Sequence, residues 1–267
     1  MGNLFFPQFS TGTVAQYPIR KARVARTITN ILPDGSVILY PDSSASLMGW
    51  QLSYTNLPPN DWAALQNHFS VCSGPVHAFT FIDPTENMLA SSSDPSGVPW
   101  QHPPLITFTP NAADPNGGTA GFTVTNAGQT AQEITQALTV PSGYQYCFSL
   151  YAISVQPGTL SLLRRGSLQQ DVSETPVGAS WSRLVSSGRL TDSGTSFTAG
   201  ISLAPGQQVT IFGPQLEPQI SPSGYRPTTQ RGGVYANAHW TEERLTVAAE
   251  APDLFSTSFT IEAAIPA

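Results

Sequence analysis

Between Leu105 and Phe212 the chain is cut into eight short runs of alternating or β-branched residues, separated by Gly, Pro and Asn turns. They are Leu105–Thr109, Gly121–Asn126, Glu133–Val140, Tyr144–Ser154, Leu160–Arg164, Trp181–Ser186, Ser196–Leu203 and Gln208–Phe212. Such spacing leaves no room for a helix of ordinary length and predicts strands stacked as a β-sandwich. The surface chemistry agrees. Charged residues are only 10% of the chain, against roughly 25% in an ordinary soluble domain. Ser, Thr, Asn and Gln must carry the solvated faces, and 22 Gly with 24 Pro supply the turns.

The flanks read differently. Arg23 to Ile31 and Val37 to Tyr40 are β-branched runs around the turn Pro33-Asp34-Gly35-Ser36, which predicts a hairpin. Leu47 to Tyr54 is a further strand. Asp61 to Phe69 is the one helical pattern, with Asn60 as its expected N-cap, Trp62, Leu65 and Phe69 as its apolar stripe and Gly74 as its stop. Val76 to Ile82 returns to strand and ends in the turn Asp83 to Asn87. A Ser-rich linker, Ser91 to Gly97, follows. The last strands, Val234–Trp240, Arg244–Ala249 and Thr257–Ala264, are too few to fold alone. They are expected to complete the N-terminal domain. The organisation expected is one β domain over 1–90 and 231–267, with a β-sandwich over 91–230 inserted at an exposed loop.

Several chemistries are not expected. The four histidines, His68, His77, His102 and His239, show no metal-ligand spacing, and the two cysteines, Cys72 and Cys147, form no Cys-x-x-Cys pair. Both thiols read as free, buried small hydrophobes. No nucleophile elbow and no glycine-rich phosphate loop is present. Carboxylates such as Asp83, Asp114, Glu133, Asp192 and Glu217 fall in turns or at strand edges, where solvation is the default. No cofactor, metal or catalytic pair is expected, and no apolar run approaches the ~18 residues of a membrane span. The start, Met-Gly-Asn-Leu-Phe-Phe-Pro, lacks signal-peptide features, which predicts synthesis in a cytoplasm.

Charge singles out one segment. The net charge is −6, which argues against general nucleic-acid binding, yet Arg20, Lys21, Arg23 and Arg26 hold four of the eleven basic residues. They are either solvated side chains of a strand or contacts to an acidic neighbouring subunit or to DNA passing nearby. The apolar segment Leu4 to Phe9, with Phe5 and Phe6, is either an anchor on a neighbour or tucked into its own domain.

Two stretches resemble known families. Trp50-Gln51-Leu52-Ser53-Tyr54, the helix with Trp62, Leu65 and Phe69, then Gly74 and Phe79-Thr80-Phe81-Ile82-Asp83-Pro84, resemble in their order the N-terminal domain of phage distal tail proteins. The likeness covers about 17–88 and, more weakly, 232–267. It implies a tail-hub β-sandwich in a hexameric ring at the distal end of the tail tube. Tube, hub or tape-measure proteins would be its neighbours, and DNA only passing cargo. The implied location is the tail of a virion or phage-like particle, made in a bacterial cytoplasm.

Over about 88–230, Asn87-Met88-Leu89, Trp100, Tyr144 to Tyr151, Trp181-Ser182-Arg183-Leu184, Phe212 to Pro218 and Gly224-Tyr225-Arg226-Pro227-Thr228 are similar to the carbohydrate-binding-module jelly rolls of phage tail proteins. That implies contact with a host glycan. Tyr144, Tyr146 and Phe148 share one strand face and are expected in the core, with Tyr151 on the other face. Trp181 and Phe212 match core positions of the family as well. The candidate stacking residues are Tyr151, Trp100 and Trp181, with Asn126, Gln132 and Gln136 as hydrogen-bonding partners; core is the alternative for both Trp residues. The expected fold class is all-β with one short helix. The expected function is a non-catalytic tail-tip protein, with a secreted or surface carbohydrate-binding protein as the alternative.

Overall fold

The computed structural model describes residues 3–265. In chain order its first elements are β1 (Arg20–Ile31), β2 (Val37–Leu57), α1 (Pro59–Cys72) and β3 (Phe79–Ile82). Then come β4 (Ile106–Ala112), β5 (Gly121–Asn126), β6 (Gln132–Leu138), β7 (Tyr146–Ile153), β8 (Gly158–Arg165) and β9 (Gln170–Val177). The rest are β10 (Ser182–Gly188), β11 (Phe197–Leu203), β12 (Gln208–Glu217), β13 (Val234–Trp240), β14 (Ala248–Ala251) and β15 (Leu254–Ala264). The chain is all-β with one helix, and it divides into two compact units, Met1–Phe81 with Tyr235–Ala267, and Ile82–Val234. No helix among the described residues is long and apolar enough to cross a membrane.

The first unit is a single sheet in the order β1-β2-β15-β13-β3, with β14 added to β15 alone. Period-2 alternation in β2 sends Trp50, Leu52 and Tyr54 to one face, opposite Ile261, Phe259 and Thr257 of β15. The N-terminal segment lies beside β3: Phe6 N–H donates to Thr80 C=O at 2.9 Å and Thr80 N–H to Leu4 C=O at 2.8 Å. Phe6 is thereby buried among Phe79, Phe81, His68, Trp240 and Phe259. The helix covers the same face through Leu65, His68 and Cys72, with Asp61 also buried. Its face is rotated from the expected stripe, and Trp62 and Phe69 flank it half-buried. The cause is Asp61, whose carboxylate accepts from Ser10 N–H at 2.9 Å and Ser10 Oγ at 2.8 Å. Pro58, not Asn60, is the N-cap, and the left-handed Ser73 with Gly74 N–H on Phe69 C=O ends the helix.

Strands β1 and β2 run on past this core as a two-stranded ribbon. The two runs expected at Val37–Tyr40 and Leu47–Tyr54 are one strand, because a register shift between Val24 and Arg26 lets pairing continue through the segment.

The second unit is a jelly-roll-like sandwich of a five-stranded sheet, β10-β7-β12-β5-β4, and a four-stranded sheet, β6-β11-β8-β9. Its core is aliphatic-rich, with Leu150, Leu160, Leu162, Ile201, Leu203 and Ile211 among the residues between the sheets. Strand β9 escapes the sequence pattern because it is an exposed edge strand that carries Pro176 and little apolar alternation. The Ser91–Gly97 stretch is fastened rather than open: Ser92 N–H donates to Thr228 Oγ1 at 2.9 Å and Thr228 N–H to Ser92 Oγ at 3.0 Å.

Candidate functional site

The alternation of β7 builds the most chemically distinctive surface. Tyr146, Phe148, Leu150 and Ala152 point into the core, so Cys147, Ser149, Tyr151 and Ile153 share the opposite face. Antiparallel register sets Arg183 of β10 on one side of Tyr151 and Phe212 of β12 on the other. The Arg183 guanidinium lies 5.3 Å from the Tyr151 ring centre and donates to Ser149 Oγ at 3.0 Å. Ring contacts continue from Tyr151 to Phe212 at 6.1 Å and from Phe212 to Tyr225 at 5.1 Å. Trp181 stands one residue before Ser182, the partner of Ala152, and so belongs to the Tyr151 and Ile153 side. It is half-buried and helps line a hollow of about 230 Å³ with Ile153, Gln208 and Thr210.

A second hollow, of about 350 Å³, opens at the irregular middle of β12 between Phe122, Phe212, Pro214, Tyr225 and Pro227. Its wall requires glycine at position 213: φ is +63° and a Cβ there would meet the Tyr225 ring at 3.0 Å. The other end of the face is closed by the segment after β12. Ser223 N–H donates to Glu217 Oε2 at 3.0 Å, Arg226 N–H to Gln215 Oε1 at 2.7 Å, and Ser187 Oγ to Ile220 C=O. The outer face therefore carries three half-buried rings, Trp181, Tyr151 and Tyr225, with Phe212 buried between Tyr151 and Tyr225 as its core-matching position implied, and Arg183 over the Tyr151 ring.

The candidates from the sequence separate on this geometry. Tyr151 and Trp181 fall on the same face of the five-stranded sheet. Trp100 does not: it is buried in the sandwich core and its Nε1–H donates to Ser91 C=O at 3.1 Å. Asn126 is fully buried and its amide donates to the carbonyls of Thr130, Leu203 and Ala204. Gln136 is buried and clasps Ala90 by both its N–H and C=O, at 2.7 and 2.9 Å. Gln132 donates to Thr130 Oγ1. These amides hold loops. Arg183 and Tyr225 were not among the candidates, though the parity of Trp181 and Arg183 about Ser182 was the signal for the first.

In the first unit, Phe6 is core and thus unavailable to a partner, while Phe5 is half-buried and bridges Thr80. Arg20, Arg23 and Arg26 are exposed, and Arg26 pairs with Asp42. Lys21 Nζ lies 5.9 Å from the Trp50 ring centre. Burial holds His68 at about 4 and pushes the thiols of Cys72 and Cys147 to about 11, so neither sulfur is a thiolate near neutrality. Among the described residues no three His, Cys, Asp or Glu side chains converge to hold a metal ion.

No family model and no curated protein matches the chain. Solved structures do. The CBM22-1 xylan-binding domain of Paenibacillus barcinonensis Xyn10C is 14% identical over 51% of this chain and 96% of its own, with a TM-score of 0.41. The C-terminal family 22 carbohydrate-binding module of Clostridium thermocellum Xyn10B is 17% identical over 51% and 95%, also at 0.41. The enzymatically active domain of bacteriophage CBA120 tailspike protein 4 is 11% identical over 51% of this chain and 22% of that one, at 0.41.

Proposed function

We propose that this is a binding and assembly protein whose 82–234 unit takes a glycan chain along the ring row of its five-stranded sheet. The observation that carries this reading is the placing of the half-buried rings of Trp181, Tyr151 and Tyr225 on one outer face, with the buried Phe212 packed between the two tyrosines. Sugars present flat C–H faces that stack on such rings, while their hydroxyls need donors and acceptors at the rim. Arg183, Thr210 and Gln208 supply those groups. A single open site of this kind binds at about 0.1–1 mM. A glycan array probed with the full chain, followed by titration of the best hit, is the test. Tyr151→Ala and Trp181→Ala should each weaken binding about tenfold, the loss of one stacked ring. Binding unchanged in both variants, or no glycan bound at all, overturns the reading.

For the other unit we propose a place in the tip of a phage or phage-like tail, as a homo-oligomeric ring joined to other tail proteins. What favours this is the ordered constellation from Trp50 to Pro84 together with the exposed β1–β2 ribbon. Negative-stain images of the purified full chain test it. Closed rings support the reading, and separate particles throughout count against it.

A further inference from the structure

The ribbon made by β1 and the first part of β2 is the least explained part of the molecule. Two paired strands without a third neighbour or a covering layer are marginal in water. This ribbon exposes Ile28, Ile31, Val37, Leu39 and Tyr40, with Val24 at its base where β2 is still paired to β15, each between 44% and 69% accessible. Register puts Ile28 with Tyr40 on one face and Ile31 with Val37 and Thr29 with Leu39 on the other. Both faces are apolar and both are open. Basic residues on an edge strand deter strand-to-strand pairing, which accounts for Arg20 and Arg23 but not for six apolar side chains. A surface of this kind is built to be covered.

Charge points to what covers it. Residues 20–42 carry four basic and two acidic side chains, a net +2, whereas the remainder carries seven basic and fifteen acidic, a net −8. The same unit has a second exposed edge, where the short strand β14 pairs with β15 only, on the side of β15 away from β2. All four residues of β14, Glu250 among them, are exposed, as are Val247, Asp253 and Leu254 around it. This corner is acidic and apolar where the ribbon is basic and apolar.

We infer that the ribbon of one copy seats on the β14–β15 corner of the next. The inference rests on the assembly reading above and specifies its contact. Because the two surfaces differ, the contact is head-to-tail, and repetition either closes a ring or extends a filament.

The test uses the full chain and its mass in solution by light scattering, at low and high salt. One variant carries Arg20→Glu with Arg23→Glu, and a second carries Glu250→Lys with Asp253→Lys. Each alone opposes like charges and should dissociate at concentrations where the native chain is assembled, a weakening of about tenfold or more. An equimolar mixture of the two variants makes every contact complementary again and should reassemble in alternation. Restoration by mixing also excludes misfolding as the cause of the loss. If the native chain assembles and both variants assemble equally well, the ribbon does not seat on the corner and the ring reading survives. If the native chain is monomeric at every salt concentration, both fall.

Discussion

The two units reach stability by opposite means. Among the described residues, nine of the eighteen in the core of the first unit are aromatic, including Trp50, Trp240, Phe6 and Phe259. In the second unit only Trp100, Tyr146, Phe148 and Phe197 of twenty-four are aromatic, and the rest are mostly Leu, Ile and Val. The difference follows from layering. A sandwich interdigitates two sheets, so branched aliphatic side chains of similar size fill the gap between them. A single sheet covered by one helix and an N-terminal segment has an irregular space above it, and large rings fill that space with few residues. The first unit then has little apolar surface to spare for its ribbon, which stays bare. The second closes its core and presents Trp181, Tyr151 and Tyr225 on an outer face.

Trp240→Ala is the change that should break this contrast most forcefully. The ring is 1% exposed, meets Phe6, Phe69 and Phe259, and donates Nε1–H to His68 Nδ1 at 3.2 Å. Truncation should cost the first unit about 3–5 kcal/mol. Calorimetry of the full chain should then show one transition lowered and the sandwich transition unmoved. A parallel shift of both would mean that the two cores melt as one cooperative body, and the contrast would lose its energetic content.

Acid offers a slightly smaller lever. Burial lowers the His68 pKa from 6.5 to about 4. Between those values the unfolded chain binds a proton that the folded unit refuses, so stability is full above pH 6.5 and falls as pH drops toward 4. The loss amounts to about 3 kcal/mol by pH 4, at 1.36 kcal/mol per pH unit. In the sandwich, Asp114 and Asp192 are held below 3.8 chiefly by backbone N–H groups, of Ala120 and of Leu168 respectively. Their contribution is present above 3.8 and is lost only as pH falls through their lowered values. Denaturant melts from pH 7 to 4 should therefore weaken the first unit alone, and His68→Gln should flatten that slope. An equal slope in both units would remove the distinction.

How much of this was legible depended on whether a pattern was set by a strand's own alternation or by something far away in sequence. Alternation in Trp50-Gln51-Leu52-Ser53-Tyr54 and in Tyr144 to Tyr151 is local, and it correctly separates Tyr151 from Tyr146 and Phe148. The helix face was misread by one step because Ser10, 51 positions earlier, holds Asp61 inside. Trp100 and Trp181 looked alike in sequence, each either a stacking ring or core. What distinguishes them is the register of β10 on β7 for one and the Ser91 carbonyl for the other. The Leu4–Phe9 segment was ambiguous for the same reason: β3, which it pairs with, is some 75 residues on. The ring set needed three strands in register to place Phe212 beside Tyr151, and the segment after β12 to place Tyr225 on Phe212.

The smallest expected effect sharpens the contrast most directly, because it asks whether the ribbon is bare within its own chain. Ile31 is 69% and Val37 56% accessible, and the two face each other across the ribbon. Replacing both by Thr keeps β-branching and strand propensity while removing apolar character. No packed core loses volume, so the cost to the monomer should stay within about 0.5 kcal/mol. The matched change in the sandwich, Ile211→Thr, buries a hydroxyl among Val124, Leu150 and their neighbours and should cost several times more. Measuring both under conditions where the chain is monomeric separates folding from assembly. A loss above about 2 kcal/mol from the ribbon pair would be the size expected of a core site. It would show that the ribbon's apolar side chains are already covered by their own chain. A negligible loss, together with weaker self-association of the same variant, would leave a second copy as the only reason for those side chains to be apolar.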